Sequence, residues 1–472
     1  MHTPSLAILT LGLTAATVLA QCDGVRLAPP TDPPPIEFGA SVANDGRFWF
    51  VGDNNARTLC PGDPFNCSAG AVHVYEMVGG RLEFFQTLSP PNPALGDFFG
   101  TSLDADAGRL IVGTMNYQWP GTSRRGGAFV YEYEDGAWTE TGRLIPPETV
   151  DPLLWRLLGV QVAIDGDMAM LTPLESTENM VFRYRLTASG WEYAEHFAAP
   201  NGGPVDAVFG HGYEILPDWV FISAPWDSSV VFRGGSVYAY RRLPDGSLEF
   251  AQRLTGDDAP GGALRNNFFG ASMSVDDGRL AIGVPSATRD VAEQGSVQIY
   301  DLNDGRWQFS EEVVHEHAEE LDQLGYSASL HGNLLVASAT GDGAPGTPGS
   351  GYAFRRGPDG QWRQAAWLVP QPPVRTRQFG YVMASDGRHA LFGAREDELP
   401  SRERPGAAYL FDLTCTDCPP DLDADGALTI FDFLTFLNLF EDRSSEADFD
   451  GDGELTIFDF LAFQTAFDAG CA

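Results

Sequence analysis

FGASMSVDDGRLAIGVP, residues 269–285, followed after a loop by GSVQIY at 295–300, is the stretch from which the fold can be read. Met273 to Val275 and Leu280 to Val284 are short apolar or β-branched runs on either side of Asp276-Asp277-Gly278, the pattern of two strands joined by a tight hairpin. Ser296 to Tyr300 reads as a third strand. Asp304-Gly305 then signals a turn, and Trp307-Gln308-Phe309 opens a fourth strand. The opening dipeptide recurs as Phe38-Gly39, Phe99-Gly100, Phe209-Gly210 and Phe379-Gly380, with Leu158-Gly159 and Leu324-Gly325 as variants. Successive starts lie 51 to 61 residues apart. That is close to the roughly 40 to 50 residues of one four-stranded propeller blade.

Seven such units predict an all-β, seven-bladed β-propeller over residues 21–413. The motif resembles the FG-GAP repeat of integrin α-chain propellers over residues 38–411, and the resemblance implies the fold. Integrin blades carry a DxDxDG calcium loop, and no unit has one complete. The nearest is Asp104-Ala105-Asp106-Ala107-Gly108, which also reads as a polar hairpin turn.

Residues 6–20 are apolar and end in Val18-Leu19-Ala20, as in a secretory signal covering residues 1–20. The run is too short for a membrane span. Export to an oxidising compartment lets an even set of cysteines pair, and the chain has 6. Cys60 and Cys67 share a loop and pair most simply with each other. The seventh unit has three strands (Val382 to Ser385, His389 to Gly393, Ala407 to Phe411) before Cys415 begins something else. The N-terminal segment 23–30 echoes fourth-strand endings such as Phe85 to Pro91 and Arg143 to Pro147. It is therefore expected to complete the last blade, which brings Cys22 to Cys415.

Comparison among units separates packing from function. A serine that recurs (Ser41, Ser102, Ser272, Ser327) points to turn or packing chemistry, whereas residues peculiar to one unit are candidates for binding. The long loops, expected on one propeller face, carry Trp119, Arg124, Arg125, Trp155, Arg156, Trp226, Asp227, Arg375, Arg377 and the run 395–404. Exposed Trp beside carboxylates and Arg suits sugar stacking, and buried Trp suits covering of blade edges; for Trp119 and Trp226 both readings stand. His315 and His317 offer two imidazoles without a third ligand nearby. Nucleophile elbows, Walker loops, HExxH and dinucleotide fingerprints do not occur, and no catalytic residue is assigned.

After a linker at 414–420 the composition shifts. Residues 421–432 and 448–459 are two twelve-residue calcium loops, 27 residues apart. A hard cation that wants six or more oxygens takes carboxylates from Asp421, Asp423 and Asp425, the Ala427 carbonyl, and Asp432 to close the sphere, with Thr429 acting through water. In the second loop Asp448, Asp450, Asp452, the Glu454 carbonyl and Asp459 take these roles, so two Ca2+ ions are expected. Each loop runs into an apolar helix. This tail, 421–472, resembles a dockerin, the duplicated calcium module that docks enzymes onto cohesin domains. The resemblance implies a cohesin-like or other cell-surface partner. Loop positions 10 and 11, often small polar residues that touch cohesin, are here Ile430-Phe431 and Ile457-Phe458, which fit either a changed interface or the core of the module. Cys418 and Cys471 would tie its two ends.

A net charge of −36 argues against binding to nucleic acid or to an anionic membrane. The chain reads as a secreted, monomeric, noncatalytic interaction protein: the propeller face takes a carbohydrate or protein ligand and the tail tethers it. The alternative is a polysaccharide hydrolase or lyase on a propeller scaffold, whose carboxylate pair the sequence does not single out.

Overall fold

The computed structural model describes residues 20–27, 29, 36–58, 67–120, 126–176, 178–200, 208–258, 266–316, 318–341, 349–357, 359–371, 379–397, 405–416, 420–422, 428–444, 447–449 and 454–469. The expected signal segment therefore lies almost wholly outside the described residues. The chain divides into two compact units, the larger spanning Gln21–Asp417 and the smaller containing Cys418–Ala472.

The larger unit is built of four-stranded antiparallel sheets, consistent with a β-propeller. Five stand alone, and an eight-stranded sheet joins the strands of the last two repeats to the N-terminal strand Ala20–Leu27. The first strand of each repeat adjoins that of the next: Ser41–Asn44, Phe99–Asp106, Arg156–Asp165, Tyr213–Ile215, Met273–Asp276, Leu324–His331, Met383–Ser385, and Ser41–Asn44 again. Six pairings of third with fourth strand slip register at one place, before Tyr75, Tyr131, Tyr184, Tyr240, Tyr300 and Phe354. A bulge there adds twist to the outer strand, and the aromatic ring packs inward.

The Phe-Gly dipeptide is the joint between neighbouring sheets. Each Phe or Leu of the motif is fully buried. Five of them form an isolated parallel bridge to the preceding repeat, Gly70 to Phe99, Gly126 to Leu158, Gly235 to Phe269, Gly295 to Leu324 and, around the chain ends, Gly406 to Phe38. The motif glycines have φ from +80° to +93°, a region that L side chains rarely adopt. A Cβ at Gly39 would also stand 2.2 Å from the Ala407 carbonyl oxygen. The recurring serines belong to the same joint. Ser41, Ser102 and Ser272 donate their hydroxyls to the Gly100, Gly159 and Gly325 carbonyls at 2.7, 2.9 and 2.9 Å. Ser327 departs from this: its N–H donates to the Ser338 hydroxyl at 3.0 Å.

The N-terminal strand does complete the last sheet, with Val25, Arg26 and Leu27 opposite Leu410, Tyr409 and Ala408. Cys22 is bonded to Cys415, with Cα atoms 5.9 Å apart across 393 residues. The same strand also borders Trp362–Gln371, the outer strand of the preceding repeat, a second pairing that the repeat pattern does not announce. Cys67 is buried and disulfide-bonded. Cys60, Cys418 and Cys471 lie outside the described residues.

In the smaller unit the helices Ile430–Glu441 and Ile457–Ala469 pack through Phe436 and Phe463, whose rings stack with centroids 4.4 Å apart. These residues are 27 apart, so the duplicated loops meet through equivalent side chains. Phe433, Phe449 and Phe460 fill in around them.

Candidate functional site

On the larger unit an apolar concavity of about 170 Å3 is walled by His211, Pro225, Trp226, Phe268, Ala271, Pro285 and Tyr326, with Ser286 and Gln323 as further polar groups. Its residues come from three repeats. His211 and Tyr326 each follow a motif glycine, where the other repeats carry Ala40, Thr101, Val160, Ala271 and Tyr381. Pro225 and Pro285 follow second strands. The Trp226 indole is half-buried and packs edge-on against His211 at 5.0 Å and Phe268 at 5.9 Å. Burial pushes the His211 imidazole down to about 4, so the ring is neutral near pH 7. Among the described loop residues singled out from the sequence, Trp226 alone joins this pocket.

Three of the others are buried instead. Trp119 is a core residue, 2% exposed; its indole N–H donates to the Gly126 carbonyl at 2.7 Å, and the ring packs on Tyr117 and Phe129. Trp155 is buried in the next core layer, and Arg156 pairs at the surface with Glu175. Asp227 is 1% exposed and accepts the Tyr238 hydroxyl at 2.9 Å, with Arg253 at 3.3 Å, so it braces its own sheet. Arg124, Arg125, Arg375, Arg377 and 398–404 lie outside the described residues. His315 is buried too, stacked on Tyr352 and 3.1 Å from Asp322, while His317 lies outside the described residues.

A second cavity, about 440 Å3, is bounded by first strands from Val42 round to Ser385. Asp104, Asp106, Asp165 and Glu214 face it. Burial pushes the Asp104 carboxyl up to about 7, outweighing N–H bonds from Ile164 and Ala105, and Asp106 and Asp165 add repulsion. Burial likewise raises Glu214 well above the usual carboxylate range, with Asp104 contributing. The carboxylates also hold sheet to sheet. Asp104 accepts the Ile164 N–H at 2.7 Å and Asp106 the Gly166 N–H at 2.9 Å. Ser274 and Asp276 do the same for Leu330 and Gly332. The 104–108 segment thus behaves as the polar hairpin that its composition allowed.

In the smaller unit, Asp421, Asp432, Asp448, Glu454 and Asp459 are described, and Asp423, Asp425, Ala427, Asp450 and Asp452 are not. Asp432 and Asp459 sit in the first turn of their helices, fully buried, accepting the N–H of Thr429 at 2.7 Å and of Thr456 at 2.6 Å. A buried carboxylate is costly without compensating positive charge, and the all-oxygen donor set suits a hard cation. The residues present therefore fit calcium. Ile430, Phe431, Ile457 and Phe458 are 62 to 63% exposed. Of the two readings of these positions, core and surface, the structure selects the surface.

No protein-family model matches the chain, and no curated protein matches it in sequence. Among solved structures it is similar to the periplasmic gluconolactonase PpgL of Pseudomonas aeruginosa, with TM-score 0.43 and 16% identity over 72% of this chain and 86% of that one. It is also similar to Sqt1 of Saccharomyces cerevisiae, with TM-score 0.44 and 11% identity over 84% and 99%. A functionally unknown protein from Desulfotomaculum acetoxidans gives 0.42 and 12% over 70% and 84%. Likeness of this degree bears on neither activity nor ligand.

Proposed function

We propose that the chain is a secreted, calcium-binding, noncatalytic interaction protein: a seven-bladed propeller of FG-GAP type whose loop face binds a carbohydrate or protein ligand, tethered by a dockerin-like module. The observation that carries this reading is the aromatic pocket around Trp226, in which three repeats bring together His211, Trp226, Phe268 and Tyr326. Rigid scaffolds commonly place binding residues on such loops.

The tether rests on the smaller unit. Two equivalent Ile-Phe pairs stand exposed beside the expected calcium loops, and paired apolar side chains on a small module suit a protein partner. Asp421, Asp423, Asp425, the Ala427 carbonyl and Asp432 would hold one Ca2+, and Asp448, Asp450, Asp452, the Glu454 carbonyl and Asp459 the other.

The test is a glycan array and a peptide-display library applied to the full chain and its Trp226→Ala variant, beside an activity screen on polysaccharides. Binding that depends on Trp226 without bond cleavage is expected. Cleavage by the wild-type chain overturns the noncatalytic reading, and absence of Trp226-dependent binding overturns the site.

A further inference from the structure

We infer that the Trp226 pocket receives a single aromatic side chain of a polypeptide partner whose flanking residues are basic. This rests on the proposed binding role of the loop face and commits it to one ligand class.

Size is the first argument. About 170 Å3 is little more than half the roughly 300 Å3 at the small end of drug-sized sites, so one ring enters and an oligosaccharide does not. Wall chemistry is the second. Trp226, Phe268, Tyr326 and two prolines dominate, and His211, Gln323 and Ser286 supply only a few polar atoms. A hexose held against such walls would leave hydroxyls unpaired. An aromatic side chain asks for edge and face contacts, which Trp226 and Phe268 offer.

The surroundings extend the pocket into a surface suited to a chain rather than a lone ring. Phe232, Val230, Val208 and Leu321 are exposed. The Phe232 and Arg233 carbonyls accept the N–H of Asn266 and Phe268, which ties this rim to the pocket wall.

Charge is the third argument. Gln323 donates its backbone N–H to the Glu293 carbonyl at 3.2 Å, and the loops meeting there carry Asp290, Glu293, Glu319 and Glu320. Asp290, Glu319 and Glu320 are exposed. Arg289, the cation on those loops, is held by Glu312 through bonds of 2.7 and 2.8 Å, so it does not offset them. On the other rim Arg233 lies over the Phe232 ring at 5.2 Å. Arg395 lies over the Tyr381 ring, which packs on Tyr326 at 4.3 Å, so two cations, Arg233 and Arg395, stand against the four acidic groups of these loops, within a chain of net charge −36. Lys or Arg next to the anchoring ring would meet complementary potential.

The experiment selects a random-peptide display library on the full chain, then measures synthetic versions of the enriched peptides by calorimetry. The expected consensus is an aromatic residue with Lys or Arg within three positions. Affinity should fall about tenfold or more in Trp226→Ala, and about tenfold when Glu319 and Glu320 are both changed to Lys. Unchanged thermal melting shows that each variant folds. Peptides without an aromatic residue, or indifference to both variants, overturn the inference. Trp226-dependent binding of glycans with no peptide enrichment overturns it too, yet leaves the proposed function standing. No binding of either kind removes both.

Discussion

The Arg26 guanidinium lies 3.2 Å from the Asp397 carboxylate, which also accepts the Tyr409 hydroxyl at 3.3 Å. Arg253, Asp227 and Tyr238 form the same trio within the fourth repeat, where all three belong to one stretch of chain. Arg26 comes from the other end of the molecule, 371 residues away, and so supplies the side chain that the last repeat lacks. Asp397 is only 7% exposed at its side chain, so removing its partner leaves a buried charge. Arg26→Ala should lower stability by about 2 kcal/mol, below the 3 to 5 of a fully buried pair because Arg26 is 22% exposed. Urea unfolding measures it. A loss no larger than that of Arg143→Ala at an exposed pair would refute this role.

The Cys22 to Cys415 bond closes a loop of 393 residues. Loop-closure entropy puts its contribution at about 6 kcal/mol, as an upper figure. The double variant Cys22→Ser, Cys415→Ser should melt at lower temperature, and wild-type protein treated with a reductant should approach the same value. Identical melting of oxidised wild type and double variant would show that strand pairing alone holds the seam.

Protonation gives a pH dependence whose sign differs by window. Burial pushes Asp53 up to about 8 and Asp104 up to about 7. Between an unfolded value near 4 and those values, the folded chain keeps protons that the unfolded chain has released, so these groups lower stability as pH rises. Burial also lowers His73 and His211 to about 4, which raises stability with pH up to an unfolded value near 6.5. The two effects oppose each other below about pH 6.5. Above it only the carboxyls act, so stability should decline from about pH 6.5 to 8. Asp53→Asn and Asp104→Asn should each flatten that decline in denaturation midpoints taken across the range, and an unaltered slope in both would exclude these groups as its source.

Calcium should order the smaller unit. Its core rests on a few aromatic rings around Phe436 and Phe463, little for a module of that size. Adding a chelator should abolish the helical circular dichroism of Ile430–Glu441 and Ile457–Ala469, and calcium should restore it. Asp432 closes its loop and also caps its helix through the Thr429 N–H. Thr429→Ala, which removes the cap to the Phe431 N–H, should cost about 1 kcal/mol. Asp432→Ala should raise the calcium concentration at which the helical signal half-returns by more than Thr429→Ala does. Equal shifts in the two variants would mean that Asp432 does not touch the ion.

The repeat joint was legible in the residues because sterics leave few solutions. A glycine at φ near +90° after a fully buried phenylalanine, with a serine hydroxyl aimed at the next repeat's carbonyl, constrains residue type at three positions at once. Seam closure was legible for a similar reason, since a three-stranded final sheet needs an edge. Side-chain exposure on loops was not. Trp119 and Trp226 look alike in sequence, yet one indole finds the Gly126 carbonyl and sinks into the core while the other stays at a pocket mouth. The pocket itself was hidden because His211, Phe268 and Tyr326 approach only after three repeats are set side by side. A comparison of residues following the motif glycines would have picked out His211 and Tyr326, together with Tyr381, which does not line the pocket.

The pairing of Ala20–Leu27 with Ala407–Asp412 also sets an order of events during biosynthesis. The Ala20–Leu27 strand leaves the ribosome well before the last sheet and finds its place only after that sheet has emerged. At about 5 to 20 residues per second, the 371 residues between Arg26 and Asp397 impose a wait of roughly 20 to 75 s. During that interval the nascent chain carries an open rim, and a chaperone has a defined segment to keep from premature pairing.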